Sequence, residues 1–324
     1  MLTFITVLIM HTKERVNQLI WVIVFSIGYF SLKGGVFTIL SGGGFHVLGP
    51  DSSEIHENNA LGVAILMIIP LMVYIYRYPP HPLVKTGMPY VIFFSVVAVA
   101  GTQSRGALVA VSAVGGYFWW RSKSKALTGL ALIFLAVITL IIMPKSWTDR
   151  MKTITNYETD SSAMERITAW RYAINVANGR FTGGGFNSWS IENYAAYGVP
   201  ARKAFVAHSL YFGVLNDGGW VGLAAYLLIL FLMWRQLGRV IKITKDAEEH
   251  QDIHFLAQMM KVSMVAYMTG GTFLSLAYYD LAWHFMAIII ALHTIVQVDS
   301  SDVAVARRHR RAPARRRRKI AAGT

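Results

Sequence analysis

The sequence predicts an all-α polytopic membrane protein: a bundle of apolar helices with one large loop on a single face. Three observations carry that prediction. Of 324 residues, 54% are hydrophobic and only 15% are charged, against about 25% charged in an ordinary soluble domain. Mean hydropathy is +0.43. The apolar residues come in runs close to the roughly 17–25 needed to cross a bilayer. The same figures argue against a soluble enzyme, a disordered chain and a coiled coil. The chain has no cysteine, which removes disulfides, thiolate metal sites and a cysteine nucleophile.

Taken in order, apolar spans fall at 16–32, 60–76, 87–103, 106–120, 127–143, 221–234, 260–276 and 281–298. Residues 1–10 are apolar but too short to span, and read as the end of a further helix. They lack the basic start and small-residue cleavage site of a signal peptide. Basic residues occupy alternate connections: Lys13 and Arg15; Arg77 and Lys85; Arg121, Lys123 and Lys125; Arg235, Arg239, Lys242 and Lys245; and the tail between Arg307 and Lys319. Short loops rich in Lys and Arg stay cytoplasmic, so these connections agree on one orientation. The opposite face receives 33–59, turns at 103–106 and 278–280, and a long segment from 144 to about 219. The chain thus divides into N-terminal membrane helices (1–143), an outer loop (144–219), C-terminal membrane helices (220–299) and an Arg-rich cytoplasmic tail (300–324). A basic run beside a last span anchors topology and attracts anionic lipid at about 1 kcal/mol per residue, so nucleic-acid binding is not read from it.

The outer loop has structure of its own. Ser162 and Glu165 form a capping-box pattern, and a helix is expected over 163–178. Ala163, Met164, Ile167, Trp170, Ala173, Ile174 and Ala177 share one arc of it. The helix stops at Asn178-Gly179, and Gly183, Gly184 and Gly185 then give a backbone that other groups can approach closely.

Charge at membrane depth is costly, so the basic groups of the outer face are the candidates for chemistry. Arg105 sits between two spans with almost no loop. Its guanidinium could grip a phosphate through two parallel hydrogen bonds, or snorkel to lipid headgroups. Arg166 falls on the apolar arc of the loop helix, with Arg171 at its edge; a ligand and a structural salt bridge with the neighbouring Glu165 or Asp160 are both open. His208 stands where the loop re-enters the membrane, ahead of Ser209, Gly219 and Gly222. Its side chain titrates near neutrality and suits a general base, or simply packs. Lys33-Gly34-Gly35 and Glu57-Asn58-Asn59 border the first outer loop, and could line a polar cleft or cap helix ends. No Asp-x-Asp pair, metal-ligand spacing, Gly-x-Ser-x-Gly elbow or phosphate-binding Walker loop occurs. An arginine-rich, carboxylate-poor face suits a pyrophosphate held without metal.

Several stretches together resemble the O-antigen ligase superfamily, and most closely its putative O-glycosylation ligases of the exosortase A-associated branch. They are KGGVFTILSGGG at 33–44, ENN at 57–59, SRGAL at 104–108, MPKSWTDRM at 143–151, ERITAW at 165–170, GGGF at 183–186 and HSLYF at 208–212. The resemblance covers about 28–298. It implies a glycosyltransferase of the GT-C type in the bacterial inner membrane, with its site facing the periplasm. Such an enzyme passes a glycan from undecaprenyl pyrophosphate to an acceptor hydroxyl on lipid A core or protein, with no metal or other cofactor. By resemblance, His208 activates the acceptor while Arg105 and Arg166 hold the pyrophosphate. Arg171, Ser104, Ser209, Gly184, Gly185, Lys33 and Asn58 are possible supports. The family usually has about a dozen spans and a longer N-terminus, so a truncated chain is one expectation. The rival readings are an O-antigen polymerase of the same superfamily, a transporter of lipid-linked glycan, and a non-catalytic remnant.

Overall fold

The computed structural model describes residues 2–145, 147, 161–199 and 201–298. The Arg-rich tail, Asp160 and residues 146 and 148–151 of the sequence motif lie outside the described residues. The described chain is all-helical. Helices α1 (Leu2–Ile9), α2 (Lys13–Leu40), α3 (Asn58–Arg77), α4 (Pro82–Gly101), α5 (Arg105–Arg121) and α6 (Lys125–Ile142) come first. Helices α7 (Ser161–Gly179) and α8 (Ile191–Ala196) lie in the long loop. Helices α9 (Leu210–Ile243), α10 (Gln251–Gly270) and α11 (Asp280–Val298) follow, with 3₁₀ turns at Glu248–His250 and Gly271–Phe273. Among the described residues, α2, α3, α4, α9 and α11 are long and apolar enough to cross a membrane. The protein is a polytopic helical membrane protein.

Polar ties mark the two ends of the bundle. At one end, Lys13 pairs with Asp252 at 2.5 Å, the Tyr74 hydroxyl donates to Asn17 at 2.8 Å, and Thr244 meets His254 at 3.1 Å. At the other, the Asn58 amide donates to the Thr102 carbonyl at 2.7 Å, and the Gln103 amide to that of Gly43 at 2.9 Å. The Tyr278 hydroxyl donates to Asp217 there as well, at 3.1 Å. The second, or loop, end carries α7 and α8. Helix α3 runs through the middle, with Leu61, Ile65, Met67, Ile68, Leu71 and Ile75 fully buried.

Three expectations shift. Span 16–32 continues as helix to Leu40, because Gly35 seats α2 directly on α4: a Cβ there would lie 2.1 Å from the Phe94 carbonyl oxygen. Lys33 is therefore exposed within a helix, two turns before its end, and does not border the loop. Span 260–276 moves back to Gln251–Gly270. Its polar first turns find partners in Lys13, Thr244 and, for His254, Gln258 at 2.9 Å, so they form helix where hydropathy reads a loop. The buried face of α7 is also rotated. Met164 and Ile174 are exposed, whereas Tyr172 and Val176 are fully buried. Tyr172 stacks on Tyr194 of α8 with centroids 3.9 Å apart and builds a second, extramembrane core with Val199.

Helix α9 is broken at Gly219, whose φ of 61° and ψ of −160° lie outside helical space. The break frees the carbonyls of Asn216 and Asp217. They accept the N–H groups of Gly184 at 2.7 Å and Gly185 at 3.1 Å. The loop after α7 is thereby bonded into the broken helix.

Candidate functional site

The loop end holds a small cavity lined by Asn59, Ser104, Arg105, Gly106, Ser162, Arg166, Phe273 and Leu274. Each lining residue is there for a local reason. The α4–α5 connection reverses the chain over Thr102, Gln103 and Ser104. Gln103 takes a φ of 52° and is anchored by its amide to the Gly43 carbonyl. Ser104 caps α5, accepting from the Ala107 N–H at 3.1 Å, a bond worth about 1 kcal/mol at such a position. Arg105 is then the first residue of α5, half-buried. Gly106 lets the apolar wall close, since a Cβ there would lie 3.3 Å from that of Phe273. The wall itself is held from below: the Tyr267 hydroxyl donates to the Leu276 carbonyl at 2.8 Å and also meets the hydroxyl of Tyr226.

Asn59, Ser104–Arg105–Gly106 and Ser162 belong to the first turns of α3, α5 and α7. Helix N-termini carry about half a positive charge each and exposed N–H donors. Three of them and two guanidiniums border one hollow. Such an arrangement is suited to an anion. The expected capping box places Ser162 as an N-cap; in the structure Ser161 is already helical and Ser162 lines the cavity.

His208 stands immediately before α9, half-buried, with a φ of 41°. Ser209 caps α9, its hydroxyl accepting from the Phe212 N–H at 3.5 Å, and is fully buried. Burial, followed by the nearby Arg166 charge, lowers the His208 pKa below the ordinary histidine value; Glu57 and Glu165 oppose the shift. Glu165 is itself paired with Lys203 at 2.9 Å. The shift favours the neutral imidazole, the form a proton acceptor needs. Arg105 and Arg166 share the cavity, and His208 is near enough to Arg166 to feel its charge.

The expected supporting residues divide. Ser104 lines the cavity, and Ser209 is a buried cap. Asn58 braces the Thr102 carbonyl, while its neighbour Asn59 does the lining. Arg171 is exposed and Lys33 lies away on α2, so neither is brought to the cavity. The N–H groups of Gly184 and Gly185 are committed to α9, which makes these glycines structural. Of the Glu57-Asn58-Asn59 stretch expected to line a polar cleft or cap a helix, Asn59 lines the cavity; sequence reasoning missed Phe273 and Leu274. It also missed His46, whose Nδ1 lies 3.4 Å from both the Thr102 carbonyl and the Asn58 amide. Its place in the first outer loop, beside the ENN stretch, was the available signal. Among the described residues, no group of three or more His, Asp or Glu side chains is placed to share a metal ion.

The segment carrying these groups can now be compared with known families. Residues 90–227 match the O-antigen ligase family. That stretch contains Arg105, Arg166 and His208 together. Residues 1–79 match a family of unknown function, DUF5935. No curated protein and no solved structure matches the chain. The O-antigen ligase match supports a glycosyl-transferring enzyme with lipid-linked glycan and acceptor substrates, and with it an O-antigen ligase-like function.

Proposed function

We propose that the protein transfers a glycan from undecaprenyl pyrophosphate to an acceptor hydroxyl, on lipid A core or on protein, at the periplasmic face of a bacterial inner membrane. The reading is carried by one observation: two arginines from α5 and α7 line a single anion-suited cavity, and a histidine near enough to feel the Arg166 charge lies with them inside the O-antigen ligase match. The transfer is a single displacement. The acceptor O–H gives its proton to the His208 imidazole as its oxygen bonds to the anomeric carbon. The bond from that carbon to the phosphate oxygen breaks, and the departing pyrophosphate takes the electron pair. Arg105, Arg166 and the three helix N-termini stabilise the charge that grows there. No metal or other cofactor takes part in this scheme. Basic connections at the opposite end of the bundle support the orientation, since short Lys- and Arg-rich loops stay cytoplasmic.

A transfer assay on the reconstituted full chain tests the scheme. His208→Ala, Arg105→Ala and Arg166→Ala each lower the rate by about 10²–10³. Near-normal turnover in all three removes the proposal. Product analysis separates the close rival: loss of glycan from the carrier to a different acceptor marks a ligase, and a lengthened lipid-linked ladder marks a polymerase.

A further inference from the structure

We infer that Trp170 is the positioning residue of this site, fastening the peptide that carries His208 to the helix that carries Arg166. The inference rests on the catalytic reading of His208 and Arg166 given above, and extends it to a residue with no role there.

Trp170 lies one helical turn after Arg166 on α7, so the two side chains are neighbours on one face. Its indole N–H donates to the Ala207 carbonyl at 2.8 Å. That carbonyl belongs to the peptide unit joining Ala207 to His208, and Ala207 is 1% exposed. The indole ring also stacks on Phe212, with centroids 4.7 Å apart and planes 11° from parallel. Phe212 is in the first turn of α9, and its N–H is the one that Ser209 caps. One side chain therefore holds the chain on both sides of His208, through the Ala207 carbonyl before it and the Phe212 ring after it. The residue between takes a φ of 41°, which few residues other than glycine adopt without surrounding structure to impose it. Trp170 supplies two of the contacts that impose it.

A different link already holds α7 to α9, through Gly184 and Gly185 to Asn216 and Asp217. Losing Trp170 contacts thus changes the angle and reach of His208 without detaching the loop. The charged groups around His208 are Arg166 and Glu165 from α7 and Glu57 ahead of α3. Of these, Arg166 lies one turn from Trp170 on the same face, so its spacing to His208 passes through that side chain.

The test uses the full chain in proteoliposomes with a lipid-linked glycan donor, comparing Trp170→Phe, Trp170→Ala and His208→Ala. Phenylalanine keeps a ring to stack on Phe212 and loses only the N–H. Expected for Trp170→Phe is a fall in kcat of about tenfold, the worth of one neutral hydrogen bond. The donor KM stays within about twofold, because both arginines remain. The acidic limb of the kcat–pH profile moves to higher pH, as the imidazole leaves its buried place beside Arg166 and regains a more ordinary pKa. Trp170→Ala deepens each change. An unmoved kcat and pH limb in Trp170→Phe overturns the inference. So does a fall in rate that only tracks the loss of folded protein, with the limb unmoved. His208→Ala separates the two levels: if it transfers normally, the catalytic reading itself has failed; if it is inactive while Trp170→Phe is normal, only the positioning role has.

Discussion

Replacing Gly219 by alanine tests whether the loop is built into the break in α9. The magnitude follows from two terms. Gly219 sits at φ 61°, ψ −160°, a region nearly reserved for glycine, and holding another residue in such a place costs about 1–3 kcal/mol. Its new Cβ would also lie 2.1 Å from the Phe181 carbonyl oxygen and 2.5 Å from the Gly183 nitrogen. Those are backbone atoms that cannot swing aside, and forcing extra volume into a packed site costs about 1–3 kcal/mol more. Together these are about 2–6 kcal/mol, a large share of the roughly 5–15 kcal/mol that folds an ordinary domain. The cheapest relief is to expel the loop and give up the Gly184 and Gly185 hydrogen bonds. Gly218 is the control. It has helical geometry, and a Cβ there meets nothing within 4 Å, so Gly218→Ala gains up to about 1 kcal/mol of helix propensity. Hydrogen exchange at the Gly184 and Gly185 amides and thermal unfolding in detergent read both effects. Gly219→Ala exchanges faster and melts lower; Gly218→Ala melts at or above the parent. Parent-like protection and melting in Gly219→Ala, or equal losses in both variants, would refute the reasoning.

Other outcomes follow from the same geometry. Arg166→Gln removes the positive charge that helps hold His208 neutral, so the His208 pKa rises toward its ordinary value. The acidic limb of the rate profile then moves to higher pH. Lys33→Ala leaves transfer at the parent rate and stability within about 0.5 kcal/mol, because Lys33 is exposed on α2 away from the cavity; a tenfold loss of rate would return it to the site. EDTA leaves the transfer rate unchanged, since the two guanidiniums supply the countercharge; strong inhibition reversed by a divalent cation contradicts that assignment.

Much of this was legible in the sequence, for identifiable reasons. Long apolar runs located the bundle because a bilayer demands them. The loop helix was legible within two residues at its start and one at its end, 163–178 against Ser161–Gly179, because Gly179 ends it. Arg105 and Arg166 stood out because charge near membrane depth is rare, and His208 because it stands where the loop re-enters the membrane. What could not be read depends on partners distant in the chain. The first turns of α10 look like a loop until Lys13 and Thr244 supply partners for Asp252 and His254. Tyr172 has the composition of a surface residue until Tyr194 stacks on it. Gly219 looks like any helix glycine; only the approach of Phe181 and Gly183 shows why no side chain fits. Phe273 and Leu274 reach the cavity through the fold, and no local pattern announces them.

The bonding of the loop into α9 also determines which parts of the site share a rigid support. Arg166 and His208 ride on one unit, since Trp170 and the paired glycines tie α7 to the upper segment of α9. Arg105 belongs to another, fixed through Ser104 and Gln103 to the turn between α4 and α5. The distance between the two guanidiniums is therefore a measure of how α9 tilts against α5. A small rocking of one helix would widen or narrow the gap between them while leaving every hydrogen bond inside either unit intact.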